Sequence, residues 1–588
     1  MKSRRQFLAS APIGLAGAVA GVQAQAPAAT PSEAATPGPG VTAQTFAESE
    51  KLMQVGLTLA QRELAASSWP SAMAPLAARR VGAHALALPE SLAPAATWRP
   101  AEVAPVAMPA RDRIVRSPDT AGPLPARDDD IAYAPVTSLA RWIESRQLSS
   151  ERLTRVYLER IRRFDPRLRA FITVTPEHAI ARARQADAQI AAGHYRGALH
   201  GIPYGVKDLL DTAGIATTWG AEPLRDRVPS ADAAVVARLD AAGAVLLGKL
   251  SLGALALNDV WFGGQTMNPW LPQEGSSGSS AGPGAATAAA LVAFSIGSET
   301  GGSIVSPSMR CGVTGLRPTF GRVARTGAMT LCWSLDKLGP MTRSVEDAML
   351  VLAAISGPDA GDTASVPSRL AFDAGASVKG LRVGYVPAWM DEAPATEVDR
   401  AALASVKRLG MTPVPVTLPA WPYESLDVIL FAEAAAAFEE WASDGRLDQL
   451  KMQVADAWPN TLRQARFLSA VDLVQAERLR RKVAVEMARV MAQVDLLLVP
   501  SLRDEMLTIS NQTGHPSLTL RTGSVTIAEP RSDWAPDPAQ PPVRFSPPRS
   551  VPHGVTLIGR LFDEGTIAAA GMALERAAGV ASQRPPEF

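Results

Sequence analysis

Two short runs of glycine and serine hold most of the hydroxyl chemistry of this 588-residue chain: GSSGSSAG at residues 275–282 and ETGGS at residues 299–303. Glycine opens backbone shapes closed to other residues, and serines beside it bring hydroxyls to places where backbone N–H groups converge on a developing anion. That is the makeup of a nucleophile site, with Ser276, Ser277, Ser279, Ser280 and Ser303 as its candidate hydroxyls. Upstream, HGIPYGVKDLLDTAG sets Lys207 among Ile202, Tyr204, Val206 and Leu209. Apolar surroundings desolvate an ammonium and lower its pKa from about 10.4, so this lysine is either a base or a salt-bridged structural residue.

Three other motifs compete for the same chemistry. Gly278 to Gly282 satisfies G-x-S-x-G, which would make Ser280 the nucleophile of an elbow between a strand and a helix. The preceding NPWLPQEGSS reads as loop, and His515 and His553 adjoin proline and glycine in turn-like contexts. Ser334 to Lys337 fits S-x-x-K without the accompanying K-T-G. Gly248-Lys249 lacks the glycine spacing and the following Ser or Thr of a phosphate loop. The six histidines show no metal-ligand spacing, so neither a metal nor another cofactor is expected.

The elements that must hold these residues alternate. AFITV (170–174), AVLLG (244–248), LRVGYV (381–386) and VDLLLVP (494–500) read as buried strands, with helical segments between them. One helix is capped at Ser149 or Ser150, another is expected from Pro283 to Phe294, and Pro283 suits its first turn. Strands separated by helices indicate an α/β sandwich. The prolines of 525–552 read as a surface loop. Together with the segments around Trp261 and Phe262 and from Met329 to Trp333, that loop is expected to line or cover a cleft.

The N-terminus carries an address. MKSRRQFLASAPIGLAGAVAGVQAQA has a basic start, a mildly apolar centre and small residues at Ala24 and Ala26, and Ser3 to Leu8 match the twin-arginine export signal. The expected organisation is a signal peptide over 1–26, a flexible linker over 27–45, an N-terminal extension over 46–127 and a catalytic domain over 128–588. In the extension, Phe46, Leu52, Leu57 and Leu64 predict one amphipathic helix. Cleavage would leave 55 basic residues against 57 acidic ones. Neither this balance nor the dispersed Lys and Arg suits a nucleic-acid partner, and no later segment has the apolar length of a membrane span. A periplasmic or secreted monomer or homodimer is expected. Cys311 and Cys332 are expected as buried thiols.

Six motifs in order resemble the amidase signature family of serine hydrolases: GIPYGVKDLLDTAG, NPW followed by GSSGSSAG, GSETGGSIVSPSMRCGVTGLRPTFGRV, SLDKLGPMTRSVEDA, SNQTGHPSLTL and GVTLIGRLFDEGT. The resemblance spans about residues 131–585. It implies an α/β/α sandwich around a large mixed central sheet. It also implies a relay in which Lys207 is the base, Ser279 follows a cis peptide bond, and Ser303 attacks an amide carbonyl. The family's separation of 24 residues between the two serines selects Ser279 over Ser276. Thr300, Gly301 and Gly302, with Ser303, would supply the oxyanion hole. Two positions depart from the pattern: Val305 stands where arginine is usual and Glu299 where aspartate is common, which leaves Arg310 to take over a charge role. The reading is an exported amidase acting on a small amide. Its alternatives are the glutaminase-type subunit of a tRNA-dependent amidotransferase, and a silent binder of amides or peptides.

Overall fold

The computed structural model describes residues 39–588 except 90, 96–97, 104–107, 119–120 and 533–542. The expected signal peptide and most of the expected linker lie outside the described residues.

Eleven strands form one sheet. In chain order they are β1 (Phe171–Val174), β2 (Pro203–Lys207), β3 (Val245–Leu250), β4 (Phe294–Glu299), β5 (Thr314–Arg317), β6 (Lys337–Thr342), β7 (Arg382–Tyr385), β8 (Thr412–Pro415), β9 (Leu496–Pro500), β10 (Ser517–Ile527) and β11 (Arg549–Gly559). They lie side by side as β8-β7-β9-β11-β10-β5-β6-β4-β2-β3-β1. The sheet is mixed: β2 runs parallel to β3 and β4, β7 parallel to β8 and β9, and the long β10–β11 pair is antiparallel. Every residue of β2, β3, β4 and β6 is buried. Successive strand residues point to opposite faces, so both faces are covered, as the α/β/α architecture requires.

The helices begin with α1 (Ala43–Met53) and α2 (Leu59–Arg80). The sequence predicts one helix here and the chain forms two, because Gln54 turns left-handed and Thr58 caps a second start with a reciprocal box to Gln61. Leu52, expected on the apolar face, is exposed. Next come α3 (Ser150–Leu168), capped by Ser149, α4 (Ala281–Ala288), α5 (Val305–Cys311), α6 (Trp458–Ala465), α7 (Ala470–Gln493) and α8 (Asp504–Gln512). α4 stops six residues before Phe294, and Phe294 instead opens β4.

The region 525–552 also differs from expectation. Residues 525–527 and 549–551 pair across β10 and β11, Val525 opposite Val551, and Pro552 lies within β11 opposite Ser524, so the connection between the two long strands is shorter than expected.

Candidate active site

Lys207 is the last residue of β2, and the loop holding Ser303 follows the last residue of the adjacent parallel strand β4. Carboxyl ends of neighbouring parallel strands are where open α/β sheets place their ligands. Lys207 is fully buried. Its Nζ donates to Ser279 Oγ at 2.8 Å, Ser298 Oγ at 2.8 Å and Ser280 Oγ at 3.1 Å. Burial pushes its pKa well below the ordinary lysine value, against the opposing charges of Asp336 and Glu299. Ser280 Oγ sends its own proton to Ser298 O at 3.0 Å, so it can only accept from Lys207. The lone pair of the neutral amine is therefore left for Ser279 or Ser298.

Ser279 is itself almost fully buried, whereas Ser303 is half-buried. The Gly278–Ser279 peptide is cis. A Cβ on Gly278 would stand 1.8 Å from the carbonyl oxygen of Asn258, so no larger residue fits this approach of two backbones. Ser280 N donates to Ser303 O at 3.1 Å, tying the two glycine-serine runs together.

The loop 300–304 is pinned from below by Glu299. Its carboxylate pairs with Arg317 at 2.6 Å and accepts from Ile304 N, Val305 N and Asn511 Nδ2 at 2.7, 2.9 and 2.9 Å. Burial works to raise the Glu299 pKa, but Arg317 and the Val305 and Ile304 amides outweigh it and hold it below the usual carboxylate range. The Glu299 charge is met by Arg317 rather than by Arg310, and Val305 meets the same carboxylate through its amide. Thr300 Oγ1 donates to Asp336 Oδ1 at 2.6 Å. Gly302 has φ +122, a backbone region that side chains rarely adopt.

Thr300, Gly301, Gly302 and Ser303 line a cavity of about 530 Å³ whose apolar wall includes Leu257, Leu430, Phe431 and Trp458. Of the segments expected around the cleft, Leu331, Val525 and Arg531 line it, while Trp261 and Phe262 do not. Arg531, on the β10–β11 connection, is anchored by Glu274 at 2.6 Å.

The competing motifs resolve. Ser280 is buried and absent from the cavity wall. Ser334 Oγ is held by Glu433 at 2.5 Å, and Lys337 is buried on β6 with its amine on Leu335 O. His553 lies within β11 and pairs with Asp399 at 2.8 Å. Both cysteines are free and buried. The sequence missed Ser298 and Ser280 as lysine partners; the signal lay in β4 running beside β2, which brings Ser298 to the end of Lys207's strand.

A broad mixed sheet carries a buried lysine at the end of one strand and, after the next strand, a half-buried serine that lines the cavity, a frame suited to hydrolysis. The family described as Amidase matches residues 152–567 of this chain. A candidate amidase of Mycobacterium tuberculosis (strain ATCC 25618 / H37Rv), AmiD, is 37% identical over 486 residues, 80% of this chain and 99% of that one. A glutamyl-tRNA(Gln) amidotransferase subunit of Thermosynechococcus vestitus is 32% identical over 493 residues, 76% of this chain and 99% of that one. Among solved structures, the native peptide amidase of Stenotrophomonas maltophilia superposes with a TM-score of 0.66 at 30% identity, covering 77% of this chain and 98% of that one. The chain belongs to the amidase family and is an amide-hydrolysing enzyme. Among the described residues no helix is long and apolar enough to cross a membrane.

Proposed function

We propose that this protein is an exported amidase that converts a carboxylic amide to an acid plus ammonia or an amine through an acyl-enzyme on Ser303. The observation that carries the reading is the 2.8 Å contact between the buried amine of Lys207 and Ser279, set behind a serine that lines the cavity. Neutral Lys207 accepts the proton of Ser279, and Ser279 takes that of Ser303 as its oxygen bonds to the carbonyl carbon. Backbone N–H groups of the 300–303 loop stabilise the resulting oxyanion. Collapse breaks the C–N bond while the proton returns through Ser279 to the leaving nitrogen. Water then attacks the ester by the same relay and frees Ser303.

The test is Ser303→Ala, assayed on simple aliphatic and aromatic amides. Full activity in that variant sinks the proposal, whereas a loss of about three orders of magnitude or more supports it. Labelling of Ser303 by a fluorophosphonate separates an enzyme from a silent binder.

Export by the twin-arginine route to the periplasm or beyond rests on Ser3 to Leu8 and the small residues at Ala24 and Ala26. The likeness to glutamyl-tRNA(Gln) amidotransferase subunits favours a second reading, a glutaminase passing ammonia to partner proteins. Recovery of the uncleaved chain from cytosol in complex with two such partners would favour that reading over export.

A further inference from the structure

Four arginines are among the largest fully buried side chains: Arg310, Arg317, Arg322 and Arg480. Three of them sit in ion pairs, with Glu299, Glu564 and Glu477. Arg310 differs. It is 1% exposed, its Nε and Nη1 have no hydrogen-bond partner, and it is the one of the four that lines the cavity. The nearby carboxylate of Glu274 offsets part of the Arg310 charge, but its hydrogen bonds go to Arg531 at 2.6 Å and Asn268 at 2.8 Å. Asp427, Asp456 and Asp504, elsewhere on the wall, have interactions of their own.

A guanidinium without hydrogen bonds in a buried site is costly, and a carboxylate accepting its fork of donors is the geometry that relieves it. Position supplies the rest. Ser303, Ser306 and Arg310 all line the cavity, and Ser306 and Arg310, four residues apart on α5, share one helical face. Ser303 precedes the first turn of α5 and Arg310 sits in its last; five residues of helix rise from Val305 to Arg310 span roughly 7.5 Å, so a group held by Arg310 lies some distance along the substrate from the bond that Ser303 attacks.

We propose that Arg310 binds a carboxylate on the acyl part of the substrate, which makes the preferred substrates monoamides of dicarboxylic acids or amides bearing an equivalent acid. The inference rests on the amidase reading above and adds a substrate class to it. The test compares succinamate, glutaramate and adipamate with their uncharged counterparts butyramide, valeramide and hexanamide. The wild-type enzyme is expected to favour at least one acid over its counterpart by roughly 10- to 100-fold in kcat/KM, the range of a hydrogen-bonded charge. In Arg310→Gln that ratio is expected to fall to near one, and in Arg310→Lys to be partly kept. A ratio of one or less at every chain length in the wild type overturns the proposal while leaving the amidase reading intact, whether or not the variants fold. So does a ratio unchanged in Arg310→Gln. If the wild type hydrolyses none of the six, binding decides: glutarate raising the melting temperature of the wild type, but not of Arg310→Gln, keeps the carboxylate site. No shift in the wild type removes it.

Discussion

At the scale of residues, the proposed base Lys207 is expected to set both rate and stability as functions of pH. In the proposed relay it would work only when neutral, and burial lowers its pKa well below the ordinary lysine value. Turnover is therefore expected to rise along an alkaline limb whose midpoint lies below that ordinary value, and Lys207→Met is expected to lose this limb along with about 10²- to 10⁴-fold in kcat/KM. The sign for stability follows from the same shift. The folded state holds this proton more weakly than the unfolded chain, so the group's contribution is fully present above 10.5 and is lost as pH falls through the folded pKa. Urea unfolding across pH is expected to show a shallower slope for Lys207→Met than for the wild type. Ser279 and Ser280, two of the three serines on the amine, part company under substitution. Ser279→Ala is expected to match Ser303→Ala in lost rate, because a relay acts as a unit. Ser280→Ala is expected to lower stability by about 1–3 kcal/mol, through unmade bonds to Lys207 and Ser298, with a smaller loss of rate. Equal kinetic losses at 279 and 280 would contradict this division, as read by kcat/KM beside unfolding curves. The family resemblance pointed to Ser279 and Ser303 in the sequence, and the structure puts Ser279 on the Lys207 amine. Ser298 was not legible there, because its part depends on which strand lies next to β2, and that is settled by the sheet as a whole.

At the scale of elements, the nucleophile loop is held by a strand end and a helix start that share one acid. Glu299 closes β4, satisfies the first free amides of α5 and neutralises Arg317 on β5. Glu299→Gln keeps the shape, removes the charge and leaves Arg317 buried against a neutral amide. Breaking one side of a buried pair is expected to lower stability by about 3–5 kcal/mol, measured by urea denaturation at neutral pH. The wild-type contribution is present above the ordinary carboxylate value and lost as pH falls through the depressed value of Glu299, so the two proteins should converge in strong acid. A gap that persists there would mean the acid acts through shape rather than charge. The strands at 171–174, 245–250, 382–385 and 496–500 were legible as apolar runs bounded by turns. The β10–β11 pair was not, since a proline-rich composition masked strand residues whose partners lie some 25 positions away. The break between α1 and α2 hid for the opposite reason: Gln54 and Thr58 act through local capping inside a stretch whose apolar spacing runs on.

At the scale of the whole molecule, the N-terminal helices are joined to the wall of the cavity. Phe46 is buried edge-on against Phe467 with ring centroids 4.9 Å apart, and Leu76 shares a core with Tyr423, Leu426 and Val428. Arg80 pairs with Asp472 at 2.5 Å on α7. Gln464 and Asn460 of α6 donate to Ala65 O at 2.8 Å and Ser68 Oγ at 3.0 Å on α2. The same α6 offers Trp458 and Thr461 to the cavity, and Asp427, Leu430 and Phe431 line it from the neighbouring helix. The proposed catalytic trio, by contrast, stands at the end of β2, in the loop after β4 and in the turn into α4. Deleting residues 1–80 is therefore expected to loosen one wall while leaving the relay in place. Full burial of an aromatic or a leucine contributes roughly 1.5–3 kcal/mol, so the loss of Phe46 and Leu76 alone amounts to several kcal/mol and lowers the melting temperature. The kinetic signature is a rise in KM of several-fold with a smaller change in kcat, since substrate contacts are disturbed and proton transfer is not. Phe46→Ala, a gentler cut, should move both quantities the same way by less. If the truncated enzyme keeps the melting temperature and KM of the full chain, the helices are passengers on the surface and the wall of the cavity stands without them.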